Sequence, residues 1–215
     1  MKKLVFFGGG GFFLELFEYI KKDMDNKILS DIQIKGFIDD NTALRYPFCA
    51  NLGTIADFKP EKNDCLLITI GNPWIREKFF VKFQKDGCDF FSYIHPSAII
   101  SSTAKIGKGC IVCPFSMVNA YATVEDNVVI NVHASIGHES LLGQSCVLSP
   151  YAAINGNAQL GAMSFMGTRS TVFPGVSVGK MSTIDSHSYA KFNTDEKTIV
   201  SLRSKYLAIK NRMIK

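Results

Sequence analysis

Residues 130–159 read INVHAS IGHESL LGQSCV LSPYAA INGNAQ, and the pattern of these residues extends over almost half of the chain. Divided every six residues, it places Ile or Leu first and Ala, Ser or Cys fifth in each hexad. The frame continues without insertion through sixteen hexads, from Ile94 to Tyr189. A fixed period of six residues with an apolar first position predicts a β-helix, a solenoid in which each repeat stacks on its neighbours. The fifth residue must be small because it lies near a corner.

Residues 1–93 have a different pattern, in which short apolar runs alternate with stretches of helical periodicity. KKLVFF, IKGFIDD and DCLLITIGN have the composition of strands, while FFLELFEYIKK and WIREKFFVKFQKDG have that of helices. This alternation predicts a small parallel α/β sheet. The second helix is predicted to have a core-facing stripe of Trp74, Ile75, Phe79, Phe80 and Val81. The chain is therefore expected to contain an α/β domain at 1–93, a β-helix at 94–189 and a tail at 190–215.

The basic excess of the chain is confined to the tail. The 215 residues carry a net charge of +5, and the last 25 residues hold seven basic and two acidic side chains. A nucleic-acid-binding protein would carry positive charge across its fold, so we expect no nucleic-acid partner. The chain has no run of eighteen apolar residues, so we expect no membrane span.

The tail is predicted to form a helix. Thr194 followed by Asp195 and Glu196 is typical of a helix start. The side chains at three-to-four spacing that would give this helix an apolar face are Ile199, Leu202, Tyr206 and Ile209. Three roles remain open for it: a cap on the end of the solenoid, contact with the phosphates of a polyanionic cofactor, or association with a membrane surface.

The six cysteines follow no disulfide spacing, and most lie inside apolar runs, which favours a reducing cytoplasm. Cys110 and Cys113 match half of a zinc site, but no second pair stands at a suitable distance along the chain. We therefore expect both thiols to be buried for structural reasons, and we expect no metal.

The hexads resemble those of the hexapeptide-repeat acyltransferases. That resemblance implies a left-handed parallel β-helix with three hexads in each coil, a handedness opposite to the usual crossover rule. Residues eighteen apart would then stack directly above one another, so the position of any side chain in the solenoid can be predicted from its number.

A His-Glu pair is the main candidate for chemistry. His138 is followed at once by Glu139, and a neutral imidazole can accept a proton while a neighbouring carboxylate holds the ring in one tautomer. Eighteen residues after His138 is Gly156, whose backbone N–H could stabilise an oxyanion. Taken alone, the pair is more typical of a solvated corner than of a catalytic site, and the stacked glycine is what favours catalysis.

The segment IGHESLLGQSCVLSPYAAINGN is similar to the active-site stretch of the bacterial nucleotide-sugar acetyltransferases, which include bacillosamine and perosamine-type N-acetyltransferases and sialic acid O-acetyltransferases. The resemblance implies that His138 is the general base, Glu139 its orienting carboxylate and Gly156 the backbone donor that binds acetyl-CoA. It also implies that His133 either contacts the sugar or supports a residue that does. Some N-acetyltransferases of the group carry a second histidine nine residues after the first, and this chain has Val147 there.

Three N-terminal segments are predicted to bind the substrate. FGGGGFF, at 7–13, lies between a strand and a helix, where backbone N–H groups can meet a phosphate. Phe13 replaces the third glycine of the dinucleotide fingerprint, so a nucleotide-sugar diphosphate is favoured over a dinucleotide. The resemblance implies a Rossmann-like domain that holds nucleotide and sugar at the ends of three strands, and the residues concerned are Gly8, Gly10, Gly11, Asp39, Asp40, Gly71 and Asn72.

The predicted function is acetyl transfer from acetyl-CoA to the amino group of a UDP- or dTDP-linked 4-amino-4,6-dideoxy sugar, for surface polysaccharide or glycan synthesis. Such a reaction needs a positioned base and no covalent enzyme intermediate. The family resemblance also implies a homotrimer with active sites between subunits, and the cysteine pattern predicts that it is cytoplasmic. O-acetylation of a sialic acid or a related hydroxyl, acetylation of another small molecule, and a non-catalytic hexapeptide scaffold remain alternatives.

Overall fold

A computed structural model describes residues 1–202. The N-terminal region is a four-stranded parallel sheet in the order β2-β1-β3-β4, with one helix on each face. Its strands are β1 (Lys2–Phe7), β2 (Ile32–Ile38), β3 (Asp64–Ile68) and β4 (Asp89–Phe90). Its helices are α1 (Gly11–Asp25) and α2 (Pro73–Lys85). This is the parallel α/β arrangement that the alternating pattern predicts.

The period-two alternation of β1 determines which helix covers which face of the sheet. Leu4 and Phe6 pack with α1, whereas Val5 and Phe7 pack with α2. The α1 side of this core continues onto the β-helix, where it covers Ile111 and Val129. One face of the solenoid is therefore buried by the N-terminal region.

The β-helix consists of three parallel sheets of two-residue strands. Its first sheet contains β5 (Tyr93–Ile94), β8 (Ile111–Val112), β11 (Val129–Ile130), β14 (Val147–Leu148), β17 (Phe165–Met166), β20 (Thr183–Ile184) and β22 (Ile199–Val200). The second contains β6 (Ile99–Ile100), β9 (Met117–Val118), β12 (Ser135–Ile136), β15 (Ala153–Ile154), β18 (Thr171–Val172) and β21 (Tyr189–Ala190). The third contains β7 (Lys105–Ile106), β10 (Thr123–Val124), β13 (Leu141–Leu142), β16 (Gln159–Leu160) and β19 (Ser177–Val178).

Each coil contains three hexads, as the resemblance implies. Paired residues are eighteen apart, for example Ser135 with Ala153 and Leu141 with Gln159. First-position residues such as Ile136 and fifth-position residues such as Ala134 are fully buried in one continuous core. These parallel sheets fit the predicted left-handed β-helix.

The fourth position of the hexad forms the corner, a feature that the sequence pattern did not predict. From Phe115 to His187, the non-glycine residues at this position have φ between 56° and 61°, in the left-handed region, and so does Lys197 in the shortened coil that follows. They are Phe115, Tyr121, Asn127, His133, Glu139, Ser145, Tyr151, Asn157, Met163, Arg169, Met181, His187 and Lys197. Their side chains are therefore displayed in vertical columns, one column at each corner.

The predicted helix start at Thr194 is wrong. Thr194 forms a parallel bridge with Val178, and Ile199 in β22 pairs with Thr183. These partners are sixteen residues apart, so the last coil is two residues shorter than the others. The solenoid continues there because its exposed strand edge offers backbone partners to the incoming chain. The predicted apolar positions Tyr206 and Ile209 lie outside the described residues.

Among residues 1–202, no helix is long and apolar enough to cross a bilayer.

Candidate active site

His138 and Glu139 form an accessible pair at the corner between β12 and β13. His138 Nδ1 lies 3.0 Å from Glu139 Oε2, and the two side chains are 61% and 56% exposed. A carboxylate accepts hydrogen bonds only, so Nδ1 carries the proton in this contact. The second ring nitrogen, Nε2, is then left with a lone pair that can accept a proton from a substrate.

Gly156 lies directly above the His138 ring, as its number predicts. A Cβ atom added to Gly156 would be 2.5 Å from His138 Nε2 and 2.6 Å from Cε1. Only glycine leaves room for the imidazole in this position. The Gly156 N–H donates to no acceptor within residues 1–202, so it remains available to a ligand.

His138 and Gly156 both line a cavity of about 650 Å³. It follows the second sheet across three coils, and its lining includes His138, Gly156, Asn119, Asn155 and Pro174. Asn119 and Asn155 lie one coil below and one coil above Gly137, and neither was among the residues predicted from the sequence. The eighteen-residue spacing could have identified them, because it stacks polar side chains beside the histidine.

The cavity combines a proton acceptor, an unpaired backbone donor and open access from solvent. A nucleophile that carries a proton could approach Nε2 from the cavity. The charge that develops on an attacked carbonyl oxygen could be stabilised by a backbone N–H. The arrangement is therefore suited to proton-coupled acyl transfer.

His133 lies at a different corner of the solenoid, between β11 and β12. Its ring stacks between Phe115, with a centroid distance of 5.1 Å, and Tyr151, at 4.7 Å. Arg169 extends the same column, 5.2 Å from the Tyr151 ring. His133 does not line the cavity that contains His138. Within one chain, the structure does not bring these two histidines together.

The glycine loop at 8–11 follows β1 and leads into α1. Gly9 N donates to Asp39 Oδ2 over 2.7 Å, so this carboxylate closes the loop. Asp40 Oδ1 accepts from Ile55 N over 2.9 Å and organises the segment after β2. Gly10 occupies the N-cap of α1 without a side-chain hydrogen bond. The loop and Asp39 thus lie together at the carboxyl ends of β1 and β2, with N–H groups of the first helical turn uncapped.

Gly71 and Asn72 connect β3 to α2. The Asn72 side chain caps α2 by accepting hydrogen bonds from Trp74 N and Ile75 N, at 3.0 and 3.1 Å. A cavity of about 400 Å³ lies between this turn and the β-helix residues Met163, Phe165 and Thr183. The predicted apolar stripe of α2 is wrong in part, because Trp74 and Ile75 are exposed. The buried residues of the helix are Pro73, Arg76, Phe80 and Phe83.

Cys110 and Cys113 are buried, and burial raises their pKa values to about 11 and about 12. Within residues 1–202, no group of three or more His, Cys, Asp or Glu side chains could hold a metal ion. Val147 is buried against the N-terminal region, outside the lining of the His138 cavity. A histidine at this position would therefore not face that cavity within one chain.

Solved structures share this architecture over almost the whole chain. The acetyltransferase domain of PglB from Neisseria gonorrhoeae in complex with acetyl coenzyme A is 25% identical, with a TM-score of 0.81 over 92% of this chain and 95% of that one. PerB from Caulobacter crescentus, in complex with CoA and GDP-perosamine, is 23% identical, with a TM-score of 0.83 over 95% and 98%. WeeI from Acinetobacter baumannii is 20% identical, with a TM-score of 0.81 over 93% and 96%.

Sequence comparison finds a shorter likeness. The acyl-[acyl-carrier-protein]–UDP-N-acetylglucosamine O-acyltransferase of Chlamydia pneumoniae is 42% identical over 50 residues, which are 23% of this chain and 18% of that relative's length. No protein-family model matches the chain. The predicted resemblance is confirmed by these comparisons: the chain has the fold of the hexapeptide-repeat sugar acetyltransferases.

Proposed function

We propose that the chain transfers an acetyl group from acetyl-CoA to the amino group of a nucleotide-linked aminodeoxy sugar. The observation that carries this proposal is the cavity lined by both His138 and Gly156, in which the imidazole is held by Glu139 from outside the lining and the Gly156 N–H is unpaired within residues 1–202. The fold shared with PglB, which was solved with acetyl coenzyme A, supports the donor and the acyltransferase class. The fold shared with PerB, solved with GDP-perosamine, supports a nucleotide sugar as acceptor.

The reaction is a direct transfer between two bound substrates. The sugar amine attacks the thioester carbonyl carbon, and His138 Nε2 takes a proton from the amine as the new C–N bond forms. Gly156 N–H stabilises the negative charge on the carbonyl oxygen. The C–S bond then breaks, and the proton held by His138 returns to the CoA thiolate. Glu139 keeps the ring oriented throughout because its carboxylate accepts from Nδ1.

The acyl donor is proposed to lie along the second sheet, toward the C-terminal coils. Phe173 stands one coil above Asn155, and Lys191 stands one coil above Phe173. Lys191 Nζ is 5.0 Å from the ring centroid of Tyr189 and 5.8 Å from that of Phe173. Exposed aromatic rings beside a cation suit the adenine and phosphate groups of acetyl-CoA. This cluster continues the surface that contains the His138 cavity.

The N-terminal region is proposed to be a Rossmann-like domain that binds the nucleotide. The proposed contacts are made by Gly8, Gly10, Gly11, Asp39, Asp40, Gly71 and Asn72 at the carboxyl ends of β1, β2 and β3. Ligands of open parallel sheets bind in the crevice outside these ends, which supports the assignment. Asp39 would act by shaping the glycine loop, because its carboxylate already accepts from Gly9 N.

We further propose a homotrimer with active sites between subunits. No residue of 1–93 lines the His138 cavity, so one chain alone does not place its nucleotide crevice against its own proposed base. The second sheet also leaves Ile99, Met117 and Tyr189 exposed, whereas Ile111 and Val129 of the first sheet are buried against the N-terminal region. Cyclic assembly would cover such a face and would place the crevice of one subunit near His138 of another, where His133 could also contact the sugar.

The proposed setting is the cytoplasm, in the synthesis of a surface polysaccharide or glycan. The six cysteines are free thiols, which supports a reducing compartment.

An assay of thiol release from acetyl-CoA would test the proposed function. The acceptors are 4-amino-4,6-dideoxy sugars linked to UDP, dTDP or GDP, together with a free sialic acid as a hydroxyl acceptor. We expect turnover with at least one amino sugar and none with the corresponding 4-hydroxy sugar. Turnover with sialic acid alone would replace N-acetylation by O-acetylation, and turnover with none of them would favour a non-catalytic scaffold.

A further inference from the structure

Helix α2 lies along one corner of the β-helix. Phe80 and Arg76 lie against successively higher coils at this corner, and the turn before the helix faces a still higher coil across a cavity. A Cβ atom on Gly109 would be 3.4 Å from Phe80, and Arg76 bonds to Asn127. The fourth-position residues of this corner are eighteen apart: Gly109, Asn127, Ser145 and Met163. One helical turn rises about 5.4 Å and one coil about 4.8 Å, so the two structures can stay in register over these turns.

Arg76 is the fully buried centre of this contact. Its Nη2 donates to Asn127 O over 2.9 Å and to Asn127 Oδ1 over 2.7 Å, and its Nε donates to Asn127 O over 3.1 Å. Its Nη1 donates to Ile68 O and, over 3.2 Å, to Ile70 O. One guanidinium therefore joins the end of β3 to a corner of the solenoid. Ile70 immediately precedes Gly71 and Asn72, which form the β3 end of the proposed nucleotide crevice.

The acceptors of Arg76 are carbonyl oxygens, and none of them is a carboxylate. Burial lowers the pKa of Arg76 to about 9, so the side chain remains charged near neutral pH. A buried cation is costly to desolvate, and apolar residues of similar volume often stabilise a fold as well or better. Packing alone therefore gives no reason for an arginine here. The planar guanidinium differs from an apolar side chain because its donors point in fixed directions and hold several acceptors in one geometry.

A polar network extends this contact to the next coil. Asn127 Nδ2 donates to Ser145 Oγ over 2.6 Å, and Ser145 Oγ donates to Glu77 Oε2 over 2.7 Å. Glu77 also accepts from Gln144 Nε2 over 2.9 Å. Two consecutive residues of α2, Arg76 and Glu77, are thus bound to two successive coils. Helix α2 is held against sliding along the corner.

We propose that Arg76 is a positioning residue that fixes the Gly71–Asn72 end of the nucleotide crevice relative to the β-helix. Its hydrogen bonds to Ile68 O and Ile70 O hold the turn, and those to Asn127 hold the same side chain on the solenoid. The distance across the cavity between Asn72 and Met163 then depends on Arg76. This inference rests on the proposed binding of a nucleotide sugar at that turn.

The test compares Arg76→Met with Lys78→Met, which makes the same cation-to-Met change at an exposed position of the same helix. We expect Arg76→Met to raise the KM for the amino-sugar nucleotide tenfold or more and to leave the KM for acetyl-CoA within twofold. Lys78→Met should leave both constants unchanged. Amide hydrogen exchange in the segment 67–76 should be faster in Arg76→Met than in Lys78→Met, because the turn has lost its hydrogen bonds. An acceptor KM within twofold of the unmodified protein would overturn the proposal.

Arg76→Lys is the second variant, and it tests whether Arg76 positions the turn if Arg76→Met does not fold. It retains the positive charge but cannot bond the two carbonyls of the turn and Asn127 in one plane, so we expect the same selective rise in acceptor KM. A purely structural role would lower thermal stability without separating the two KM values. If the unmodified protein transfers no acetyl group, the proposed function fails, and the exchange measurement still decides the role of Arg76. Equal exchange in the Met variants of Arg76 and Lys78 would then contradict it.

Discussion

Two corners of the β-helix are built by the same repeat and differ in what lies over them. At the first corner, which carries His138 and Glu139, the side chains are open to solvent. At the second corner, Asn127 and Ser145 are completely buried beneath α2. The backbone is almost the same at both, with φ of 57° at Glu139 and 59° at Asn127. The repeat therefore supplies the position of a polar side chain, and the neighbouring element decides its role.

This difference predicts which property each corner controls. A polar group at the open corner has unused donors or acceptors and can take part in chemistry. A polar group at the covered corner has its hydrogen bonds made within the chain, and its loss leaves a buried partner unsatisfied. Substitutions at the open corner should lower kcat with little change in stability, and substitutions at the covered corner should lower stability with little change in kcat.

Removing the proposed base should have the largest effect. His138→Ala is expected to lower kcat by about 10²- to 10⁴-fold, the usual contribution of a general base. The thermal midpoint should stay close to that of the unmodified protein because the side chain is 61% exposed. Thiol release and thermal unfolding measure the two quantities. His187→Ala, an exposed histidine at a corner position, serves as control, and a His138→Ala enzyme with undiminished kcat would exclude His138 as the base.

Gly156→Ala tests the stacking of coil on coil at the open corner. The added methyl group would collide with His138 Nε2, at 2.5 Å, and should displace the ring. We expect kcat to fall by about 10- to 100-fold, a loss on the order of 1.4–3 kcal/mol of transition-state stabilisation. The double variant His138→Ala/Gly156→Ala should be no worse than His138→Ala alone, because the methyl group then has no ring to displace. Additive losses would mean that the two residues act independently.

Asn127→Ala tests the covered corner. It removes the Oδ1 acceptor of Arg76 and the donor to Ser145, so the free energy of unfolding should fall by about 2 kcal/mol. Denaturant unfolding measures this loss, and kcat should change by less than about threefold because the residue lies outside the His138 cavity. An Asn127→Ala variant with normal stability and a strongly reduced kcat would contradict the claim that the covered corner controls stability and the open corner controls kcat.

Lys191→Met should have the smallest effect, and it extends the contrast to the C-terminal coils. An exposed cation that meets a phosphate contributes less than about 1 kcal/mol, so the KM for acetyl-CoA should rise by roughly threefold. The rise should shrink at high salt, where the attraction is screened. Steady-state kinetics at two ionic strengths measure it, with the acceptor KM as internal control. A larger rise in the acceptor KM than in the acetyl-CoA KM would mean that acetyl-CoA does not bind beside Lys191.

The regular part of the molecule could be predicted from its sequence because each coil repeats the same local requirements. The hexad frame gave the β-helix from Ile94 onward, and the spacing from the family resemblance placed Gly156 on His138. The same spacing would have found Asn119 and Asn155. The helix predicted at Thr194 failed because Thr-Asp-Glu is as compatible with the turn of a hexad as with the first turn of a helix.

Arg76 could not be found from the sequence. In WIREKFF it reads as a solvent-facing cation between apolar residues, and the periodicity favours burying Trp74 and Ile75 instead. Its burial depends on a corner of the solenoid that lies fifty-one residues away along the chain. Tertiary contacts of this kind override the local pattern, so a residue that joins two distant segments cannot be identified from its own segment alone.

The short last coil has a consequence for self-association. A β-helix that ended on a full coil would present three strand edges with its own spacing, and another molecule could continue the stack into a filament. Here Asn193 Oδ1 accepts from Ser177 N, and Thr194 pairs with the coil below two residues early. The upper edge of the solenoid formed by residues 1–202 therefore departs from the register that a second solenoid would need. Inserting two residues before Thr194 would restore the eighteen-residue spacing of this coil, and we expect that change to favour end-to-end polymerisation.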